Sequence, residues 1–192
     1  MLMRKYSLLI LTAAFLTVSF ASVASAEEVS YWRWLFSFKH YKEVAPVTDP
    51  VYLEECGACH FPYQPGLLPE ASWRKLMDAK ALSDHFGENA ELDDATRQKL
   101  LEILVSSSAE HSRYKRSKKV MWSLNEGEAP LRITKVPYIV EKHEDVGDEY
   151  VKNNPKVKSL SYCNKCHQEA KNAIYDDDTV EIPGKGYWTW GW

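Results

Sequence analysis

The sequence lacks an excess of positive charge. Its 24 lysine and arginine residues stand against 27 aspartate and glutamate residues, which gives a formal net charge of −3 at pH 7. Proteins that bind nucleic acids present a basic patch or stripe to the phosphates. The charge balance therefore argues against a nucleic acid as the partner.

The sequence also lacks an apolar run of comfortable membrane-spanning length, which is about 20 residues. Its uncharged N-terminal stretch, residues 8–20, is shorter and follows Arg4 and Lys5. The small residues Ala24-Ser25-Ala26 then form a cleavage pattern, so residues 1–26 are predicted to be a signal peptide removed after Ala26. An uncleaved anchor is the alternative. Cleavage would remove two basic residues and no acidic ones, changing the formal charge from −3 to −5, and the predicted location is the periplasm.

Cysteine is scarce, with four residues in the chain. Four cysteines in an exported chain would suggest disulfides, but here both pairs are spaced C-x-x-C and each is followed at once by histidine. The motifs are Cys56-Gly57-Ala58-Cys59-His60 and Cys163-Asn164-Lys165-Cys166-His167. This is the attachment signature of haem c, in which two thiols add to the two vinyl groups and the histidine binds the iron. The sequence predicts two covalently attached haems.

Other uses of paired cysteines explain the two motifs less well. A zinc site built from two C-x-x-C pairs leaves the repeated histidines unexplained. A thioredoxin-like motif belongs in a βαβ context, which the sequence does not suggest. Haem is therefore the preferred interpretation for both motifs.

The ligand on the far side of each iron is less certain from the residues alone. Besides His60 and His167, the chain has four histidines: His40, His85, His111 and His143. His85 lies at the predicted end of a helix between two apolar residues, which suits either a ligand or an ordinary half-buried histidine, and His143 is ambiguous. His40 lies among aromatics and His111 beside a basic run in a polar stretch.

Methionine is the usual rival as a distal ligand. Only Met77 and Met121 remain after cleavage of the signal peptide. The helical spacing around Met77 places it in the core. Met121 is the more credible methionine ligand for the first haem, although histidine is favoured.

Periodicity predicts a small helical domain around the first motif. One helix is expected to begin after Pro69 and to end near Gly87, and a second to follow Asp93 and end near Ser106. Beyond residue 119, frequent proline predicts loops and short turns. The segment before His143 is expected to be extended or irregular because Pro137 disfavours helix in its predecessor. The basic run of residues 111–119 indicates a solvated face or a docking patch.

The sequence resembles the bacterial dihaem cytochrome c family from about Glu55 to about Pro183. The resemblance rests on the first motif through Leu67-Leu68-Pro69, on Ala71–Arg74, Asp84–Ala90 and Leu131–Thr134, on Pro137-Tyr138 with His143, and on Tyr175–Asp178. It implies a mainly α fold with much irregular structure: a first haem domain similar to class I cytochromes c and a second with little secondary structure. It further implies bis-histidine ligation, with His85 as the distal ligand of the first iron and His143 as that of the second.

The predicted organisation is a signal peptide (1–26), an aromatic-rich extension (27–44), a first haem domain (45–112) and a second haem domain with an aromatic tail (113–192). The expected function is electron transfer through two six-coordinate haems, not catalysis. The alternatives are a haem enzyme, such as a peroxidase or small-oxide reductase with a labile distal ligand, and a subunit of a larger redox assembly. The expected partners are another exported cytochrome c or a membrane b-type cytochrome. The aromatic ends either pack on the protein or contact a partner or a membrane surface.

Overall fold

The computed structural model of the protein describes residues 41–188. The predicted signal peptide, the aromatic segment of residues 31–38, His40 and residues 189–192 lie outside this range. The described residues fall in one compact unit. Within them, no helix is both long and apolar enough to cross a membrane.

The first half of the described chain is built from short capped helices. Helix α1, Pro50–Glu55, starts at the Asp49 cap, whose carboxylate accepts a hydrogen bond from the Tyr52 amide, and a proline occupies its first turn. These are two of the strongest helix-start features. The helix ends just before Cys56, so the first cysteine motif begins directly after it.

The prediction of one helix from after Pro69 to near Gly87 is wrong about its length. The structure has α2, Glu70–Leu76, and a separate α3, Ala79–Leu82. The break occurs because the Asp78 carboxylate accepts hydrogen bonds from the amides of Lys80 and Ala81 and so starts a new helix. The chain after α3 is therefore free to form the turn that holds His85.

The second predicted helix is confirmed. Helix α4, Asp94–Ser106, is capped by the Asp93 side chain and buries Leu100 and Leu104 at 0 % and 1 % exposure. These two residues lie one turn apart and face the core, as the helical period requires.

Two helices occur where the sequence predicted none. Helix α5, Lys115–Ser123, contains most of the basic run, and α6, Pro137–Glu141, lies just before His143. The expectation of an extended or irregular segment there holds for residues 132–136, where Arg132 and Val136 are extended on either side of a 3-10 turn, and fails for Pro137–Glu141. Proline lacks the amide proton that the first helical residue does not need, so Pro137 begins the helix instead of preventing it.

The remaining second half is mostly irregular, as predicted. Helix α7, Cys163–Cys166, is a single turn, and β1 (Glu181–Ile182) pairs antiparallel with β2 (Gly186–Tyr187), with Glu181 opposite Tyr187. Short 3-10 turns lie between the helices and strands of both halves: Pro65–Leu67, Ala109–His111, Ile133–Lys135, Ala170–Asn172 and Asp177–Thr179. The prediction of a mainly α protein with much irregular structure is confirmed.

One hydrophobic cluster includes residues from both halves of the chain. It contains Val44, Tyr52 and Leu100 from the first half together with Tyr138 and Tyr175 from the second. Val44 is fully buried although it belongs to the segment expected to be an extension. The two cysteine motifs are therefore carried by segments that pack on a shared core.

Candidate functional site

The first cysteine motif continues the turn that ends α1. The Cys56 amide donates to the carbonyl of Tyr52 at 3.0 Å. A Cβ at Gly57 would collide with the carbonyl oxygen of Leu53, so only glycine fits between the cysteine and the helix it follows. Cys56 is half-buried and Cys59 is exposed, and neither forms a disulfide. Both thiols are thus available for covalent attachment.

The imidazole of His60 is held in one tautomer. Its Nδ1 lies 2.8 Å from the carbonyl oxygen of Phe61. A carbonyl oxygen only accepts, so Nδ1 must carry the proton and Nε2 keeps its lone pair. A hydrogen bond of this kind is the usual support of a metal-binding histidine.

His85 lies opposite His60, on a tight exposed turn. The two rings, which we call the first histidine pair, have centroids 6.4 Å apart and planes inclined by 17°. The His85 amide donates to the carbonyl of Glu88 at 2.7 Å, and Phe86 adopts a positive φ of 59°. Burial, helped by the neighbouring charges of His60 and Arg132, lowers the pKa of His85, which favours the neutral ring that binds metal.

The second cysteine motif forms α7. The His167 amide closes this turn on the carbonyl of Cys163 at 2.8 Å, and His167 pairs as an isolated bridge with Val180. Burial, with smaller contributions from His143 and Arg116, lowers the pKa of His167 to about 3. The ring is therefore neutral at physiological pH. As in the first motif, the cysteines form no disulfide.

His143 lies opposite His167, just after α6. The rings of this second histidine pair have centroids 6.1 Å apart and planes inclined by 75°. The Nδ1 of His143 donates to the carbonyl of Ile139 at 2.7 Å. Its tautomer is therefore fixed in the same way as that of His60.

The other candidate ligands lie elsewhere. His111 is exposed, and its Nε2 lies 3.3 Å from a carboxylate oxygen of Glu70. Met77 is buried, 6 % exposed, and packs in the core as predicted, and Met121 packs half-buried against the same cluster. Within residues 41–188, no group of three or more histidine, cysteine, aspartate or glutamate side chains is placed to hold a metal ion. A haem iron needs only one or two protein ligands because the porphyrin supplies four nitrogens.

Sequence reasoning missed a set of side chains that join the two motif regions. Gln64 and Tyr63 follow the first motif, and both hydrogen-bond to the region of the second. Glu43 and Arg116 form an ion pair that also contacts Tyr175. Contacts between residues so far apart leave no pattern of period or spacing in a single sequence.

The donor set fits a covalently attached haem at each site. Each site combines two free cysteines with an adjacent histidine, and each brings a second histidine to about the same distance. The family model described as dihaem cytochrome c matches residues 52–175. The chain belongs to the dihaem cytochrome c family. The match covers most of the region, from about Glu55 to Pro183, in which the sequence resembles this family.

Solved dihaem cytochromes c share the fold. A dihaem cytochrome c from Shewanella baltica OS155 is 36% identical, with a TM-score of 0.61, over 73% of this chain and 97% of that one. The dihaem cytochrome c from Rhodobacter sphaeroides is 37% identical, with a TM-score of 0.60, over 68% of this chain and 98% of that one. Comparison with curated proteins gives no match.

Membership of this family means that the protein carries two covalently bound haems c. Cys56 and Cys59 would hold one, and Cys163 and Cys166 the other. A bound haem supplies one-electron chemistry at its iron, and the protein sets its axial ligands and surroundings. Like its family, the chain is a haem protein of the electron-transfer type.

Proposed function

We propose that this dihaem cytochrome c is an electron carrier whose irons are each held by two histidines. His60 and His85 would bind the first iron, and His167 and His143 the second. The observation that carries the proposal is the spacing of the two histidine pairs, 6.4 Å and 6.1 Å between ring centroids.

This spacing agrees with a single metal between each pair of rings. A bond from a metal to an imidazole nitrogen is about 2.0 Å, and a ring nitrogen lies about 1.1 Å from its ring centroid, so two opposed ligands have centroids about 6.2 Å apart. The agreement at both sites is independent, since the two pairs come from different segments. Aromatic rings packed without a metal have centroids about 4.5–7 Å apart, so the spacing supports a metal through its agreement at both sites and its place beside the two cysteine motifs.

The tautomers support the same ligation. His60 and His143 each direct Nδ1–H at a carbonyl oxygen of their own segment, which leaves Nε2 as the donor. The two supported rings belong to different pairs, so each iron would have at least one ligand with a fixed orientation. A fixed ligand favours a carrier, because the coordination then changes little between oxidation states.

Two histidine ligands bear on both potential and reactivity. Replacement of an axial methionine by histidine lowers the reduction potential of a haem. An iron with both axial positions filled has none for a substrate, which distinguishes a carrier from a peroxidase or an oxide reductase. We therefore propose low-potential electron transfer without catalysis.

We further propose that the protein works in the periplasm and exchanges electrons with another protein. The N-terminal pattern of a signal peptide supports export. Either an exported cytochrome c or a membrane b-type cytochrome would serve as the partner. The exposed basic residues Arg113, Lys115 and Lys118 suit an acidic docking site on that partner.

Substitution of the distal histidines tests the ligation. His85→Ala should convert the first haem to high spin, and His143→Ala should do the same to the second, each with the other haem unchanged in electron paramagnetic resonance. Each variant should also gain a site for cyanide or carbon monoxide. The matched control is His111→Ala, which removes an exposed histidine that pairs with Glu70. All variants must first be shown by mass to carry two haems.

A second measurement separates the carrier from an enzyme. The oxidised wild-type protein should show low-spin signals only, and these should not change with cyanide or nitric oxide. A distal alanine variant that keeps both haems low-spin would contradict the assigned ligand. Rapid ligand binding by the wild-type protein would contradict the carrier function itself.

A further inference from the structure

The segment that follows the first motif binds directly to the segment that carries the second. The Tyr63 hydroxyl donates to the carbonyl of Ser161 at 2.5 Å, two residues before Cys163. The Gln64 amide nitrogen donates to the carbonyl of Ala170 at 2.7 Å, three residues after His167. These bonds join positions 98 and 106 residues apart. Two adjacent residues therefore hold both sides of the second motif.

Gln64 also receives a hydrogen bond from the second half. The Tyr175 hydroxyl donates to Oε1 of Gln64 at 2.5 Å. Both side chains are buried, at 2 % and 6 % exposure. Because the carbonyl of Ala170 can only accept, the amide orientation of Gln64 is determined, and both ends of the amide are used. A fully satisfied buried network of this kind is rigid, and loss of one member leaves another without its partner.

Aromatic contacts extend this network to the two proximal histidines. The Tyr63 ring stacks on that of His60, with centroids 5.0 Å apart and planes inclined by 29°. The Tyr175 ring meets that of His167 edge-on, with centroids 5.3 Å apart and planes inclined by 62°. The chain of contacts is continuous: His60, Tyr63, Gln64, Tyr175 and His167. Each link is a ring contact, a covalent bond or a hydrogen bond.

We propose that Gln64 and Tyr175 are positioning residues that fix the orientation of the His167 ring relative to the first haem site. Through that ring they set the potential of the second haem and its interaction with the first. The proposal rests on the proposed function, because it takes His60 and His167 as iron ligands. It assigns to the pair a role in redox tuning beyond that of an ordinary buried hydrogen bond.

The geometry explains why the tuning acts mainly on the second haem. His60 is held by its own carbonyl partner, at Phe61. The buried Nδ1 of His167 has no hydrogen-bond partner among the described residues. Its ring orientation therefore depends on packing, and the Tyr175 ring is a neighbour that is itself anchored by a hydrogen bond. Release of the Tyr175 hydroxyl frees the ring that supports His167.

Tyr175→Phe is the direct test, since it removes the hydroxyl and keeps the ring. We expect a changed low-spin signal and a shifted midpoint potential for the second haem, with both haems present and low-spin. The first haem should keep its signal. The matched control is Tyr150→Phe, the same chemical change at a tyrosine of the second half whose ring packs on Trp188. It should leave both potentials at their wild-type values.

Substitution of Gln64, the hydrogen-bond partner of Tyr175, tests the same proposal. Gln64→Asn keeps the amide and shortens its reach, so it should shift the second haem in the same way and serves if the phenylalanine variant matures poorly. Combined with Tyr175→Phe, it should shift the potential no further than the larger single change, because both variants lose the same hydrogen bond between Tyr175 and Gln64. Additive shifts would overturn the pairing.

The result that overturns the proposal is also clear. If Tyr175→Phe and Gln64→Asn lower thermal stability while both potentials and both signals stay at wild-type values, the pair is purely structural. This outcome differs from failure of the ligation, which would appear in the distal alanine variants as retained low spin.

Discussion

The ion pair between Glu43 and Arg116 offers a quantitative test of what joins the two halves of the chain. The Glu43 carboxylate lies 2.5 Å from the Arg116 guanidinium and also accepts from the Tyr175 amide at 3.2 Å. The two side chains are only 21 % and 12 % exposed. The Glu43 backbone in turn pairs with Arg116 and Ala173. The pair therefore links the start of the described chain, α5 and the segment after the second motif.

The change Glu43→Gln keeps the shape of the side chain and its acceptor for the Tyr175 amide. It removes the charge that balances Arg116. Breaking a fully buried pair by loss of one partner costs about 3–5 kcal/mol. Since both groups keep some access to water, we expect a loss of about 2–4 kcal/mol in the free energy of unfolding. For a domain of this size that corresponds to roughly 5–15 °C in Tm.

The assay is chemical denaturation followed by far-ultraviolet circular dichroism, on protein with two haems confirmed by mass. The matched control is Asp148→Asn, which removes the same charge from the Asp148–Lys152 pair at 2.9 Å, where the side chains are 60 % and 71 % exposed. That change should cost less than about 0.5 kcal/mol, as exposed pairs do. A Glu43→Gln loss as small as the control would refute the argument from burial.

The remaining predictions concern the haems, the core and the tail. The ring planes are inclined by 17° in the first histidine pair and by 75° in the second. Electron paramagnetic resonance should therefore show two different low-spin ferric signals, a rhombic one from the first pair and a more anisotropic one from the second. Two identical signals would contradict this. Leu100→Ala, at a residue of 0 % exposure, should lower the free energy of unfolding by about 2–5 kcal/mol. Trp188→Ala removes an edge-on contact with the Tyr150 ring, whose centroid is 5.4 Å away, and should lower the free energy of unfolding by about 1–2 kcal/mol. Deletion of residues 186–192 should lower Tm if the tail packs on the protein. If the tail docks on a partner or a membrane, the deletion should instead abolish partner oxidation or membrane association at unchanged Tm.

The features that sequence reasoning predicted well are those written in local patterns. The cysteine motifs, the Asp93 cap and the apolar face of α4 each depend on residues a few positions apart. The resemblance to the family pointed to His85 and His143, which spacing alone had left ambiguous. The structure brings each of these next to its proposed partner.

The errors arose where one residue had two local roles. Asp78 was read as part of a continuous helix, but its carboxylate caps a new one. Pro137 predicts a non-helical predecessor, and Val136 is indeed extended, but the helix that Pro137 itself begins was not predicted. In both cases the residue stands at the start of a short helix, and short helices carry too few periods to be recognised by pattern.

The network of Glu43, Gln64, Arg116 and Tyr175 lay beyond sequence reasoning for a different reason. Its members are separated by up to 132 residues. The sequence does not distinguish a buried polar residue from an exposed one, and only the fold determines which residues come into contact. The basic run illustrates this, because Arg116 is held in the interior while Lys115 and Lys118 stay exposed.

The bond between Tyr63 and Ser161 has a consequence for how the molecule opens. The second motif is surrounded by turns too short to be stable on their own, so its amide protons should owe their protection to the segments that cover them. Hydrogen exchange there should occur by the same opening that exposes the loop after the first motif, with equal free energies for both. The two haem sites would then come apart in one cooperative event, and neither would be accessible to proteases while the other stays closed.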